Sequence, residues 1–160
     1  MSEYGAPLRL ILAEVIRPAL QQAGIWSEAR EQLVLGTGAA ESRYKYVKQI
    51  GDGPAMGWFQ CEPATHQDMW ANFIPGQPQL KDRLRLLCEG MERSGALVAF
   101  PQYAAAICGV HYRRIRAALP PAGDAQGMAA YHKRYYNTAL GKSDPAESVV
   151  HFQRSIEACK

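Results

Sequence analysis

Apolar side chains recur every three or four positions through most of this chain, the spacing of one face of an α-helix. Leu8, Ile11, Leu12, Val15 and Ile16 set that rhythm and predict a helix over residues 7–23, with Gly24 just past its end. Pro18 falls inside it and, lacking an N–H, is expected to kink or split the helix. Ser27 has the chemistry of an N-cap with Glu31 close behind, opening a second helix that runs into Glu41. Between residues 44 and 60 the rhythm breaks. "YKYVKQIGDGPAMGWFQ" mixes β-branched and aromatic residues with glycines and a proline, and predicts a loop with one short hairpin, its strands within residues 46–60. Helical spacing then resumes over residues 63–73, 80–93, 102–119, 126–140 and 145–158, with Asp124 and Asp144 at N-cap positions of the last two. No repeat, low-complexity tract or linker interrupts the series. The expected architecture is mainly α, a single domain over residues 1–160 with about seven helices and one small β-hairpin.

Composition narrows this picture only slightly. A chain of 160 residues, 48% hydrophobic and 21% charged, can bury a sizeable core. Its net charge of +3 suits an anionic polymer such as nucleic acid or cell wall, and equally suits none. No apolar run is long enough to span a membrane, and the N-terminus lacks the order of a signal peptide. Synthesis in the cytoplasm and no membrane insertion are therefore expected. The four cysteines are widely scattered and read as free thiols. Cys108 and His111 form a lone C-x-x-H without a second pair, so no metal is expected, nor any cofactor. "GKS" at 141–143 lacks the glycine that a phosphate loop needs five places earlier, where Tyr136 stands. "HYRRIR" and "YHKRYY" mix cations with aromatics, but Arg113, Arg114 and Arg116 spread around a helix and read as a solvated face rather than a nucleic-acid surface.

"GTGAAES", residues 36–42, carries the candidate chemistry. Small residues accumulate where the second helix ends, and then Glu41 appears. On a helix Glu41 shares a face with Val34 and Gly38, at the edge of a stripe made by Trp26, Leu33 and Thr37. An apolar wall disfavours the charged form of a carboxyl, which is what a general acid working near neutral pH requires. The small residues leave room for a substrate or another chain. The plainer reading is that Glu41 ends the helix or pairs with Arg43.

Twelve positions later comes "GPAMGWFQCEPAT", residues 53–65. A Glu-Ser at a helix end, then G-x-x-G-x-x-Q, then P-x-T opening a helix, resembles the lysozyme-like lytic transglycosylases and goose-type lysozymes. The matching positions are Glu41 and Ser42, then Gly53, Gly57 and Gln60, then Pro63 and Thr65. The likeness is close over about residues 33–70 and elsewhere rests on helix count. "AAESRY", "GWFQCEPATHQDMW" and "YHKRYYNTALGK" together resemble small phage-encoded peptidoglycan-degrading domains.

The resemblance implies a lysozyme-like fold and cleavage of the β-1,4 bond between N-acetylmuramic acid and N-acetylglucosamine. Glu41 would protonate the glycosidic oxygen. Ser42 would orient that carboxyl, Gly57 would let backbone approach the glycan, and Gln60 would hydrogen-bond an acetamido or hydroxyl group. Goose-type lysozymes carry an acidic residue two places after the hairpin glutamine, thought to position water; here it is Glu62. Glu62 also directly precedes Pro63, so the alternative is a helix-start charge, but the hydrolytic role is the one favoured. Transglycosylases need no second carboxylate, because the muramyl 6-hydroxyl attacks and an anhydro sugar results. Asp52 and Asp68 are weaker candidates. Late in the chain the family pattern A-Y-N-x-G is altered. Ala130-Tyr131 is followed by His132, and a Tyr-Asn pair comes only at Tyr136-Asn137. Tyr131 is taken as the site tyrosine, with Tyr136 as the alternative.

The partner this implies is peptidoglycan glycan, met by a monomer without nucleic acid, either released at lysis or carried in a phage virion. Readings of another class are an inactive virion structural protein, against which the intact Glu41 argues, and a nucleic-acid-binding module.

Overall fold

The computed structural model describes residues 3–45, 54–137 and 144–160. The fold is mainly α. The first helical rod begins as α1 (Leu8–Ile11), widens into a π-helical turn over Leu12–Ile16, and narrows again into α2 (Arg17–Ala23). Pro18 explains the change. It sits in the first turn of α2, where its missing N–H is tolerated, and the wider turn before it absorbs the disrupted bonding. Gly24, at φ 75°, ends the rod in the left-handed region.

Ser27 caps α3 (Glu28–Ser42), its Oγ accepting from the Arg30 amide at 3.1 Å. This helix is buried on all sides from Arg30 to Ala39 and forms the axis of the molecule. On one flank lies α9 (Pro145–Ala158), and the small residues of α3 are the reason it comes so close. A Cβ at Gly36 would fall inside the Phe152 ring. A Cβ at Gly38 would fall on the Tyr44 hydroxyl, which donates to the Leu35 carbonyl at 2.7 Å. The room expected for a substrate along this stretch is thus filled by the protein's own aromatic rings. On the other flank, α7 (Pro101–Arg113) meets α3 through a 2.7 Å hydrogen bond between the Thr37 and Tyr112 hydroxyls, and through Arg30 donating to the Gly109 carbonyl at 3.2 Å.

The remaining helices are α4 (Pro63–Asn72), α5 (Pro78–Leu87), α6 (Ala96–Ala99) and α8 (Ala125–Tyr135). Four helices, α7 among them, differ from the spacing pattern. α5 stops well before residue 93 because Glu89 (φ 51°) and Gly90 (φ 80°) reverse the chain, and the four-residue α6 follows unanticipated. α7 stops at Arg113 rather than 119; beyond it the Ala117 carbonyl is taken by the Tyr131 hydroxyl of α8 instead of by a helical N–H. α8 ends at Tyr135, whose carbonyl accepts from His111 on α7 at 3.0 Å. The split rod and the added α6 raise the expected seven helices to nine α segments among the described residues. Of the expected hairpin, the described part is one antiparallel bridge. Met56 and Cys61 exchange two backbone hydrogen bonds (2.9 and 3.0 Å) around Gly57-Trp58-Phe59-Gln60. The rest of that expectation, Gly53 included, lies outside the described residues.

Candidate functional site

Glu41 stands in the last turn of α3, where the helix leaves the core. It opens on a cleft of about 650 Å³ between the end of α3 and the start of α9. Ala40, Glu41 and Arg43 form one side, Asp144, Glu147, Ser148 and His151 the other, with Glu3 and Asn137 at the ends. The Glu41 side chain keeps 13% exposure, enough to be reached from the cleft. Its Oε1 lies 3.0 Å from His132 Nε2 and accepts from Asn137 Nδ2 at 3.2 Å. Lys133 donates to the Asn137 Oδ1 at 3.4 Å, which turns the amide nitrogen towards Glu41.

Local folding brings this pair of side chains together. The Asn137 amide donates to the His132 carbonyl at 2.8 Å, five residues back, so the chain leaving α8 folds over His132. The His132 side chain is fully buried. Its ring lies nearly parallel to Tyr136 (5.7 Å, 22°) and meets Phe152 of α9 at 5.7 Å. Tyr136 donates to the Phe59 carbonyl at 2.5 Å, tying the end of α8 to the bridge loop.

Charge across the cleft is mixed. Glu3 is ion-paired with Arg154, and Asp144 accepts from the Ala146 amide at 3.0 Å as the cap of α9. His151 Nδ1 lies 2.8 Å from the Tyr4 hydroxyl. Burial first, then the charge of Arg43, holds the His151 imidazole below its ordinary value. Chemically, the cleft offers a partly exposed carboxyl, held at Oε1 by His132 and Asn137, beside groups able to hold a polar ligand.

The other expected site residues are placed differently. The Ser42 hydroxyl is turned to the Trp58 carbonyl at 2.6 Å, with the Gly38 carbonyl at 3.3 Å. It pins the bridge loop to the helix end rather than orienting Glu41. Gly57 has φ 77°, and a Cβ there would lie 2.6 Å from the Leu97 carbonyl oxygen, so its lack of side chain serves packing against α6. Gln60 also adopts a left-handed φ of 52° and donates from Nε2 to the Gly57 carbonyl at 2.9 Å, closing its own turn. Glu62 is exposed at the N-cap of α4, makes no side-chain capping bond, and is not among the described residues lining the Glu41 cleft. Tyr131 is 7% exposed with its hydroxyl satisfied by the Ala117 carbonyl; the tyrosine packed behind Glu41 is Tyr136. The wall beside Glu41 is polar, whereas Leu33, Val34 and Thr37 belong to the core.

Two residues of the site, His132 and Asn137, were not singled out by spacing. The signal available was the departure itself, a histidine standing where the family pattern has asparagine. Among the described residues no group of three or more histidine, cysteine, aspartate or glutamate side chains is arranged to hold a metal ion, and no helix is long and apolar enough to cross a membrane. Compared with known proteins, the chain matches no family model, no curated protein and no solved structure.

Proposed function

We propose that this chain is a lysozyme-like peptidoglycan-cleaving enzyme that breaks the β-1,4 bond following N-acetylmuramic acid, with Glu41 as the general acid. One observation carries the reading. The glutamate that the ordered sequence motif singles out is also the carboxyl that meets solvent at the end of a buried helix, inside a polar cleft, with Oε1 held by two nitrogen-bearing side chains. A general acid needs that combination of access and fixed aim, because proton transfer works only within hydrogen-bond reach of the leaving oxygen. As the bond breaks, Glu41 gives its proton to the glycosidic oxygen and the sugar takes on oxocarbenium character.

A transglycosylase outcome is favoured by a separate observation, the position of Glu62. Hydrolysis by inversion requires a second carboxylate across the cleft to activate water. Glu62 is exposed at the start of α4 and does not line the cleft among the described residues. If Asp144 and Glu147, the carboxylates on the α9 side of the cleft, do not activate water either, the muramyl 6-hydroxyl attacks and the product is an anhydro sugar.

Mass spectrometry of digested peptidoglycan tests both readings. Muropeptides should appear with wild type and fall by about three orders of magnitude with Glu41→Gln, the variant keeping its fold. Retention of more than about a tenth of the activity by Glu41→Gln removes the assignment. Products ending in anhydromuramic acid identify transglycosylation. Reducing ends, lost in Glu62→Gln, restore a water-positioning role to Glu62.

A further inference from the structure

We propose that His132 is the positioning residue of Glu41: a buried neutral imidazole that donates from Nε2 to Oε1, so that the acid proton of Glu41 is carried on Oε2. The inference rests on the proposed general-acid role of Glu41 and specifies how that role is set up.

Three observations carry it. The His132 side chain is fully buried, with its Nε2 3.0 Å from Glu41 Oε1. Its second nitrogen, Nδ1, has no hydrogen-bond partner among the described residues. The ring is held between Tyr136, stacked at 5.7 Å, and Phe152, which prevents it from turning to find another partner.

A hydrogen on Nδ1 would be a buried donor without an acceptor, a state that costs free energy, and still more if the ring were charged. The single ring hydrogen therefore sits on Nε2, pointed at Oε1. Asn137 Nδ2 points at the same oxygen. With two N–H groups converging on Oε1, there is no place there for a third hydrogen. When Glu41 is protonated, the proton is on Oε2, and the carboxyl plane is fixed with that oxygen in one orientation. Charged groups near the ring come from each packed element: Glu41 itself on α3, His111 on α7, and His151 on α9. Burial, as the largest cause, holds both of those histidines below their ordinary values, so neither supplies a positive charge at neutral pH.

The tautomer can be read without any substrate. Long-range proton–nitrogen correlation spectra of the full ¹⁵N-labelled chain at pH 7, assigned by loss of signals in His132→Gln, should show hydrogen on Nε2 and a bare Nδ1. The Nε2 hydrogen should exchange slowly with solvent, and faster in Glu41→Ala. An Nδ1–H or doubly protonated pattern overturns the proposal. The same holds for exchange that Glu41→Ala leaves unaltered.

Activity on soluble glycan strands supplies the second arm. His132→Phe keeps the ring and removes the donor, and should lower kcat by about 10²-fold with little change in KM. His132→Gln returns an amide N–H near the Nε2 position and should recover at least about a tenth of wild-type kcat. Equal losses in both folded variants, or a loss confined to KM, overturn the positioning role. Should His132→Phe fail to fold, the spectra and the Gln variant still decide. If wild type cleaves no peptidoglycan, the proposed function fails, while the spectra separately judge the His132–Glu41 contact.

Discussion

Glu31 is a second carboxylate of α3, and its surroundings make it a structural counterpart to Glu41. Its side chain is 2% exposed, and Arg17 donates to both oxygens, from Nε at 2.7 Å and Nη2 at 2.8 Å. Trp26 adds an indole N–H to Oε1 at 2.9 Å. Burial pushes the Glu31 carboxyl up, but the hydrogen bonds of Arg17 and Trp26 with the Arg17 charge outweigh it, and the net position is below the ordinary value of 4.5. A carboxyl lowered in the folded state stabilises the fold above its unfolded value and loses that contribution as pH falls. Glu31→Gln should therefore destabilise at pH 7 by about 1–3 kcal/mol. Arg17 is 40% exposed, so solvent screening puts the loss towards the lower end. Urea titrations at pH 7 and at pH 3.5 check this: the gap to wild type should shrink at the lower pH, and a constant gap would contradict the pairing. From the sequence, Glu31 was legible only as a companion of the Ser27 cap. Glu41 was legible because its motif is local and ordered. His132 and Asn137 were not, since they converge through a bond that folds the end of α8 back and through packing between helices distant in sequence.

At the scale of elements, α3 and α9 depend on each other through the missing side chain of Gly36. Alanine there gains roughly 1 kcal/mol of helix propensity, yet its Cβ would enter the Phe152 ring. Overpacking typically costs about 1–3 kcal/mol, so Gly36→Ala should be net destabilising and lower the melting temperature. Adding Phe152→Leu opens space at the contact. The pair should then lose less than the sum of its single losses, a coupling that a double-mutant cycle measures. An additive result would mean the two helices are not in contact at this point. Which helices exist was readable from apolar spacing, and the effect of Pro18 from its chemistry. Helix ends were less readable: α7 and α8 stop where carbonyls are claimed by Tyr131 and His111, partners set by tertiary packing. The bridge loop was read for its glycine and glutamine as glycan contacts, whereas Gln60 closes its own turn and Ser42 of α3 ties the loop to that helix.

For the whole molecule, buried histidines govern the response to acid. His66 Nε2 lies 2.6 Å from the Tyr103 hydroxyl, to which Trp70 donates at 2.8 Å. Burial lowers His66 to about 4, and burial likewise lowers His111 to about 4 despite its bond to the Tyr135 carbonyl. Between about pH 6.5 and 4 the unfolded chain binds protons that the folded chain refuses, so stability must fall as pH falls through this window. The expected slope is about 1.4 kcal/mol per pH unit for each such histidine. Melting temperatures recorded from pH 7 to pH 4 should decline steadily, and His66→Gln should flatten the decline. A curve level down to pH 4 would contradict the burial of these rings.

Residues 3–4 and α9, far apart in sequence, meet at the cleft. Tyr4 bonds His151, Glu3 pairs with Arg154, and α9 supplies one entire wall. A ribosome making this protein releases Glu41 long before the helix that faces it. During synthesis the carboxylate therefore exists without its cleft, and any activity that the cleft supports begins only after α9 has docked.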